Sequence, residues 1–245
     1  MQALLVAVCV WPLVAWAPVA FTGQSLFIRD LLNLFFPYRA YAAEQIQLGA
    51  LPVWNPYIYC GQPFLANPET SLFFPGTLWF YLLPFAKGYT AYLLTLYPLA
   101  ALGMWCAARA WGIRRTGAAL AAVAFTLSAY LVQRAEFLSI VGEAVWLPFA
   151  ALFLIRRRWV WLGVTLAVQF LGGHPQISLY TGMLLVGLTI LLPRGGGVHA
   201  ALGRPEGRPY TAWTGAGLIA LSLAAVQLLP FLEFVGQSQR AGGLN

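Results

Sequence analysis

Apolar stretches run through this chain from Ala3 to Val235, broken by short polar turns, and only one interruption is long: Thr22 to Phe74. That pattern constrains the fold more than any single motif. Charged residues are 9% of the chain and hydrophobic ones 60%, with a mean hydropathy of +0.73. A soluble domain carries roughly 25% charged residues, so this chain cannot cover a water-facing surface. Lipid has to be the solvent for most of it, which limits its spanning elements to helices or a closed barrel. The long apolar runs read as helices. The expected fold is an all-α polytopic membrane protein forming a single domain over residues 1–245.

Seven spans are expected: Ala3–Phe21, Tyr89–Trp111, Gly117–Val132, Leu138–Ile155, Trp159–Leu171, Ile177–Leu192 and Trp213–Val235. Several fall short of the roughly 20 residues of a straight span and must borrow flanking residues. A cleaved signal peptide is the competing reading of the first segment. The segment has no basic n-region, and its apolar run exceeds the roughly 7–15 residues of an h-region. An uncleaved helix bent near Pro12 or Pro18 fits better.

Between the first two spans, residues 22–87 form a large loop. Pro37–Leu48 reads as a short interfacial helix, with Pro37 at its first turn and Gly49 just past its end. Tyr38, Ala42 and Ile46 share one face, while Arg39, Glu44 and Gln47 lie elsewhere. Pro and Gly then recur every few residues, so Leu51–Pro68 reads as irregular but structured. Phe73–Phe85 is apolar but too short to span, and reads as re-entrant or interfacial.

The net charge of +7 is not a nucleic-acid signal. If the large loop is outside, nine of the 14 basic residues (Arg109, Arg114, Arg115, Arg156, Arg157, Arg158, Arg194, Arg204 and Arg208) lie inside. Arg29, Arg39, Lys87, Arg134 and Arg240 lie outside. This is the positive-inside bias, and it makes the loop extracytoplasmic in a multi-pass cytoplasmic-membrane protein. Asp30, Glu44, Glu69, Glu136 and Glu233 then fall near the outer face, with Glu143 slightly deeper and Glu206 inside. The segments Arg134–Phe137, Gly172–Gln176 and Gly236–Arg240 lie on the same side. The chain stops in an outer loop without a basic tail, which reads as the N-terminal part of a longer protein. Cys9, Cys60 and Cys106 form no CxxC pair and no metal-ligand spacing.

The residues RD at Arg29–Asp30, FPYR at Phe36–Arg39, LGALPVWNPYIYCGQPFLANPE at Leu48–Glu69, AVWLPFA at Ala144–Ala150 and GGHPQ at Gly172–Gln176 carry a resemblance. Together they resemble the bacterial YfhO-like membrane proteins, of the polytopic glycosyltransferase class with the GT-C fold. The resemblance implies a sugar taken from a polyprenyl-phosphate carrier and transferred, outside the membrane, to a cell-envelope polymer or lipid. It implies that an acid just after the first helix is the base, a role that falls on Asp30. Many GT-C enzymes pair that acid with a second; here Arg29 precedes a single Asp30. Relatives commonly carry a His after the Glu of the RAEF region, where this chain has Phe137.

Chemistry alone supports the same residues, each against a plainer account. A carboxylate within reach can take the proton of an attacking hydroxyl, yet Asp30 also suits the N-cap of a helix starting at Leu31. Arg39, Arg134 and Arg240 suit a phosphate leaving group or membrane anchoring. His174 and Gln176 suit substrate contacts or a structural hydrogen bond. Glu136 suits substrate or a pair with Arg134. Asn55 and Asn67, with Tyr57 beside them, suit sugar hydroxyls, but NP dipeptides also build turns. Glu143, inside an apolar span, is a functional residue by default, or pairs with Arg134. No cofactor is implied. A lone loop Asp argues mildly against a divalent metal, which needs several oxygen ligands. A transporter of lipid-linked sugars and a non-catalytic membrane subunit are the alternative readings. The transporter reading requires ionisable pairs at mid-membrane and an inverted repeat, and the sequence has one deep acid and no evident repeat.

Overall fold

The computed structural model describes residues 2–18, 29–191 and 209–237. Among these the protein is helical apart from one two-stranded ribbon. Helix α1 is Gln2–Ala15. A π-turn at Leu31–Phe35 leads directly into α2, Phe36–Gln47. The ribbon follows: β1, Trp54–Asn55, pairs antiparallel with β2, Gln62–Pro63. A short helix α3, Leu78–Leu82, precedes the long α4, Phe85–Ala110. Next come α5 (Arg115–Thr126), α6 (Ala129–Gln133), α7 (Leu138–Ala144), α8 (Leu147–Ile155), α9 (Trp159–Leu171), α10 (Pro175–Leu191) and α11 (Pro209–Gly236).

Four helical stretches are long and apolar enough to cross a membrane: Phe85–Ala110, Arg115–Glu136, Leu138–Ile155 and Ala212–Gly236. The other three expected spans form shorter apolar helices, Ala3–Ala15, Trp159–Leu171 and Pro175–Ile190. The end of the first expected span lies outside the described residues. The all-α reading and the positions of the apolar helices therefore hold, while the length criterion supports four spans of the seven. Helix α4 starts at Phe85 and not at Tyr89, because Pro84 ends an extended link and can precede but not continue a helix. Lys87 thereby joins the first turn of α4.

Helix α4 is the central post, packed against α1, α5 and α8. Its inner face presents Tyr89, Tyr92, Leu93, Leu96 and Tyr97 to the main core, with Phe35, Phe74, Leu131 and Leu138 opposite. Three of these tyrosines are hydrogen-bonded to one neighbouring segment. The hydroxyls of Tyr97, Tyr92 and Tyr89 donate to the carbonyls of Leu131 (2.7 Å), Leu138 (2.6 Å) and Ala135 (3.2 Å). The chain there breaks from α6 through a 3-10 turn at Arg134–Glu136 into α7. A break frees the last carbonyls of the helix before it, which have no water to turn to in an apolar setting; Tyr97 and Tyr89 supply donors to Leu131 and Ala135 there, and Tyr92 adds a bond at the first residue of α7. They fix the Arg134–Glu136 turn in space.

The first loop folds back onto the helices. Helix α2 occurs where Pro37 and Gly49 place it, with Gly49 at φ +73. It is buried on two sides, which a single amphipathic stripe does not describe. Tyr38 and Ala42 pack against Phe64 and Leu72 of the loop. On the other side Phe36 meets Phe85 edge-on at 4.9 Å. Ile46 is left 37% exposed, while Arg39, expected on the polar side, is 1% exposed. Gln227 of α11 donates to the Leu65 carbonyl (2.6 Å), tying the loop to the far end of the chain.

Candidate functional site

The site begins with Glu143. This acid, near the end of α7 within the apolar stretch Leu138–Ile155, is fully buried. Its carboxylate accepts from the His174 backbone N–H, at the head of α10, and from Ser178 Oγ (2.7 Å). A carboxylate is favourable there because the first turn of a helix has unpaired N–H groups and a partial positive charge. Glu143 thus caps α10 from another helix; Arg134 is not its partner. Gln169 braces the arrangement, donating to the Glu143 carbonyl (3.1 Å) and to Thr181 Oγ1 (2.8 Å).

The two glycines of GGHPQ are required by close approach. A Cβ on Gly172 would lie 2.7 Å from Glu143 Cγ. Gly173 has φ +97, and a Cβ there would run into the Pro68 carbonyl oxygen. That contact exists because the loop turn Pro68–Thr70 sits on Gly172–His174. Ser71 Oγ donates to the Gly172 carbonyl (2.6 Å). Asn67 shapes the turn, its Oδ1 accepting from Glu69 N–H (3.0 Å). The outcome is a carboxylate–imidazole pair from distant parts of the chain: Glu69 Oε1 lies 3.9 Å from His174 Nδ1.

The charge of Asp30 reaches Glu69. Asp30 precedes the π-turn with helical backbone angles (φ −70, ψ −24), and its side chain makes no capping hydrogen bond. The N-cap account of Asp30 therefore has no bond behind it. Glu69 is pushed above the ordinary carboxylate value, first by burial and then by the charge of Asp30, with Arg39 opposing. His174 is held below its ordinary value by burial and then by the charge of Arg134. Arg134 is exposed, its guanidinium 5.1 Å from the Phe137 ring and 6.0 Å from that of Tyr130. Phe137 is thus a platform for the arginine. Glu136 stands in the same turn, with a buried Oε2 that has no hydrogen-bond partner among the described residues.

The other predicted site residues are placed differently. Asn55 is 1% exposed and its Oδ1 accepts from the Tyr57 backbone N–H (2.9 Å), a turn-building role. Asn67 is held by its own turn and by Tyr38 Oη, to which its amide donates (3.2 Å). Tyr57 is 81% exposed, its ring edge-on to Tyr41. Gln176 donates to Tyr180 Oη one turn along α10. Arg39 is buried beneath the loop, where Nη1 donates to the Thr70 carbonyl. Arg240 lies outside the described residues.

The structure therefore pairs Glu69 with His174, with the charge of Asp30 acting on Glu69 and that of Arg134 on His174. Glu69 was missed as a site residue. Its signal in the sequence was an acid directly after an NP turn, and nothing local shows which helix end that turn meets. Among the described residues no three His, Cys, Asp or Glu side chains are grouped to hold a metal ion. No family model, no curated protein and no solved structure matches the chain.

Proposed function

We propose that this chain is a membrane glycosyltransferase of the GT-C kind, akin to the YfhO-like proteins. In this reading it moves a sugar from a polyprenyl-phosphate carrier to a cell-envelope acceptor at the outer face of the cytoplasmic membrane. One observation carries the reading: Glu69 is paired with His174 and feels the charge of Asp30, whose side chain makes no capping bond. In this reading Glu69 is the second acid of the pair.

The chemistry follows from those groups. The acceptor oxygen attacks the anomeric carbon and forms the new glycosidic bond. The bond from that carbon to the carrier phosphate breaks, and its electron pair leaves with the phosphate. Asp30 takes the acceptor's proton as general base. Glu69, raised by burial and then by the Asp30 charge, supplies a second proton-holding group. Arg134, always protonated, is the cation for the departing phosphate. His174, neutral at pH 7, offers a hydrogen bond to the phosphate or the sugar. A transporter needs its ionisable groups paired along a path at mid-membrane. Glu143, the buried acid of α7, is instead bound to the first turn of α10.

The test is transfer of labelled sugar from a polyprenyl-phosphate donor in membranes, comparing wild type with Asp30→Asn and Glu69→Gln. Loss of transfer in folded Asp30→Asn, by about 10²-fold or more, supports Asp30 as base. Equal transfer by wild type and Asp30→Asn removes Asp30 from the chemistry. Absence of transfer by wild type with every donor moves the carrier-flipping and non-catalytic subunit readings ahead.

A further inference from the structure

Helices α9 and α11 pack side by side but end at different heights. A Cβ on Gly163 of α9 would lie 2.6 Å from the Ala216 carbonyl oxygen of α11. Further along, Gln227 of α11 donates to the Leu65 carbonyl, and Pro68 of the same loop lies against Gly173, just past α9. The two helices therefore run parallel. Helix α9 has 13 residues and starts directly after Arg156–Arg158. Its length is roughly 20 Å, about 10 Å short of a hydrocarbon core. Helix α11 continues past Gln227 to Gly236, roughly 14 Å further. Its apolar stretch runs to that end, with Leu229 and Leu232 there 64% and 54% exposed. The first loop, bonded through Ser71 to Gly172 at the end of α9, thus sits at a depth where α11 is still apolar.

The composition of the loop matches that depth. From Gln45 to Pro68 the sequence has no Asp, Glu, Lys, Arg or His. Within this run Leu48, Leu51 and Val53 are 53–72% exposed, and Trp54, Tyr57 and Tyr59 are 53–87% exposed. The segment that carries them is folded. Trp54 belongs to β1, its ring covers Gly61, and its carbonyl accepts from Tyr41 Oη (2.6 Å). The Tyr41 ring in turn meets that of Tyr57 edge-on at 5.9 Å. A held segment that shows three aliphatic and three large aromatic side chains without a charge marks a contact surface. Trp and Tyr among aliphatic residues suit a bilayer interface, where the ring is apolar and the N–H or O–H tip is wet.

We propose that the Leu48–Tyr59 segment of the first loop is a lipid-contact surface, sunk into the leaflet in which α11 ends. Leu48, Leu51 and Val53 enter the acyl region, and Trp54, Tyr57 and Tyr59 lie at the headgroup level. Cys60, next to Tyr59, stays at that hydrated level, within reach of aqueous reagents. A protein partner would cover the same side chains, and a bilayer thinned over the short α9 would leave them in water. The apolar, exposed end of α11 beyond Gln227 favours lipid over both. The proposal does not depend on sugar transfer.

The experiment measures depth in the full chain, reconstituted into vesicles of phosphatidylcholine and phosphatidylglycerol. The three native cysteines are replaced by serine, and a nitroxide is attached at Leu51→Cys, at Val53→Cys or, as a lipid-facing reference, at Leu229→Cys. All three positions are more than half exposed, so the label has room. Paramagnetic resonance then compares collisions with oxygen, which concentrates among acyl chains, and with a water-soluble nickel chelate. Labels at 51 and 53 are expected to match the reference, with collisions favouring oxygen several-fold. Collisions favouring the nickel chelate would place the surface in water, and protection from both reagents would place it under protein; either result overturns the proposal. A second measurement keeps the native cysteines and carries the test if their replacement prevents folding. Quenching of tryptophan fluorescence by acyl-brominated phosphatidylcholine is expected to fall in Trp54→Phe, and unchanged quenching overturns the proposal.

Discussion

The protonation of single side chains is where the proposed site is most exposed to test. Burial and Asp30 both push Glu69 upward, so its carboxylate form is complete only above the usual glutamate range. Ionising it in the folded protein costs stability, and that cost appears as pH rises above the ordinary value and up to the raised one. If the acid pair must be ionised to accept a proton, the acid limb of transfer lies above that of an ordinary glutamate. Asp30→Glu keeps a charge there and leaves the Glu69 shift in place. Asp30→Asn is expected to lower the Glu69 value, read from the carboxyl resonance in a labelled sample; an unmoved value would mean that the two acids do not interact. For His174 the sign is opposite. Its depressed value makes protonation costly, so this contribution destabilises the fold as pH falls through the ordinary histidine range. Arg134→Ala is expected to raise His174 toward that range, seen in the imidazole proton shift. Gly173 is a steric matter: Gly173→Ala combines a left-handed φ with a collision at Pro68, and should lower stability by roughly 1–3 kcal/mol in thermal unfolding.

Helices in this protein are held at their breaks as much as along their lengths. The Arg134–Glu136 turn is pinned by tyrosines of α4, and the head of α10 by Glu143. Tyr92→Phe removes the buried hydrogen bond to the Leu138 carbonyl and is expected to cost about 0.5–1.5 kcal/mol in thermal unfolding. Tyr180→Phe, on an exposed side chain, is the control expected near zero. Glu143→Ala strips the first turn of α10 of its acceptor, and Glu143→Gln keeps one carbonyl oxygen there. The alanine variant is therefore expected to unfold at the lower temperature. Equal destabilisation by the two variants would show that the charge, not the cap, is what the position needs. These element-level roles were partly legible in the sequence. Pro37 and Gly49 bounded α2 correctly, because local backbone chemistry sets those ends. The burial of Arg39 was not legible, because a 3.6-residue pattern describes a helix covered on one side and α2 is covered on two.

Across the whole molecule, the open question of orientation has a direct reading in the native cysteines. Cys60 is exposed in the first loop, whereas Cys9 and Cys106 are partly buried in α1 and α4. A membrane-impermeant maleimide applied to intact cells is expected to label Cys60, and Cys60→Ser to abolish that labelling. Labelling of Cys60 only after permeabilisation would turn the loop inward and remove the outer-face reading with it. The sequence by itself determined the helical class, the apolar segments and the ends of α2. Each depends on local composition and backbone preference: an apolar chain must satisfy its own N–H and C=O groups, and Pro and Gly mark where helices start and stop. Tertiary structure alone decided which polar groups meet. Glu69 joins His174 because Ser71 docks on Gly172, Glu143 turns from a suspected functional acid into the cap of α10, and Arg39 is buried against the Thr70 carbonyl. These pairings join residues far apart in the chain. They follow from how helices pack and where loops close, which no local pattern encodes.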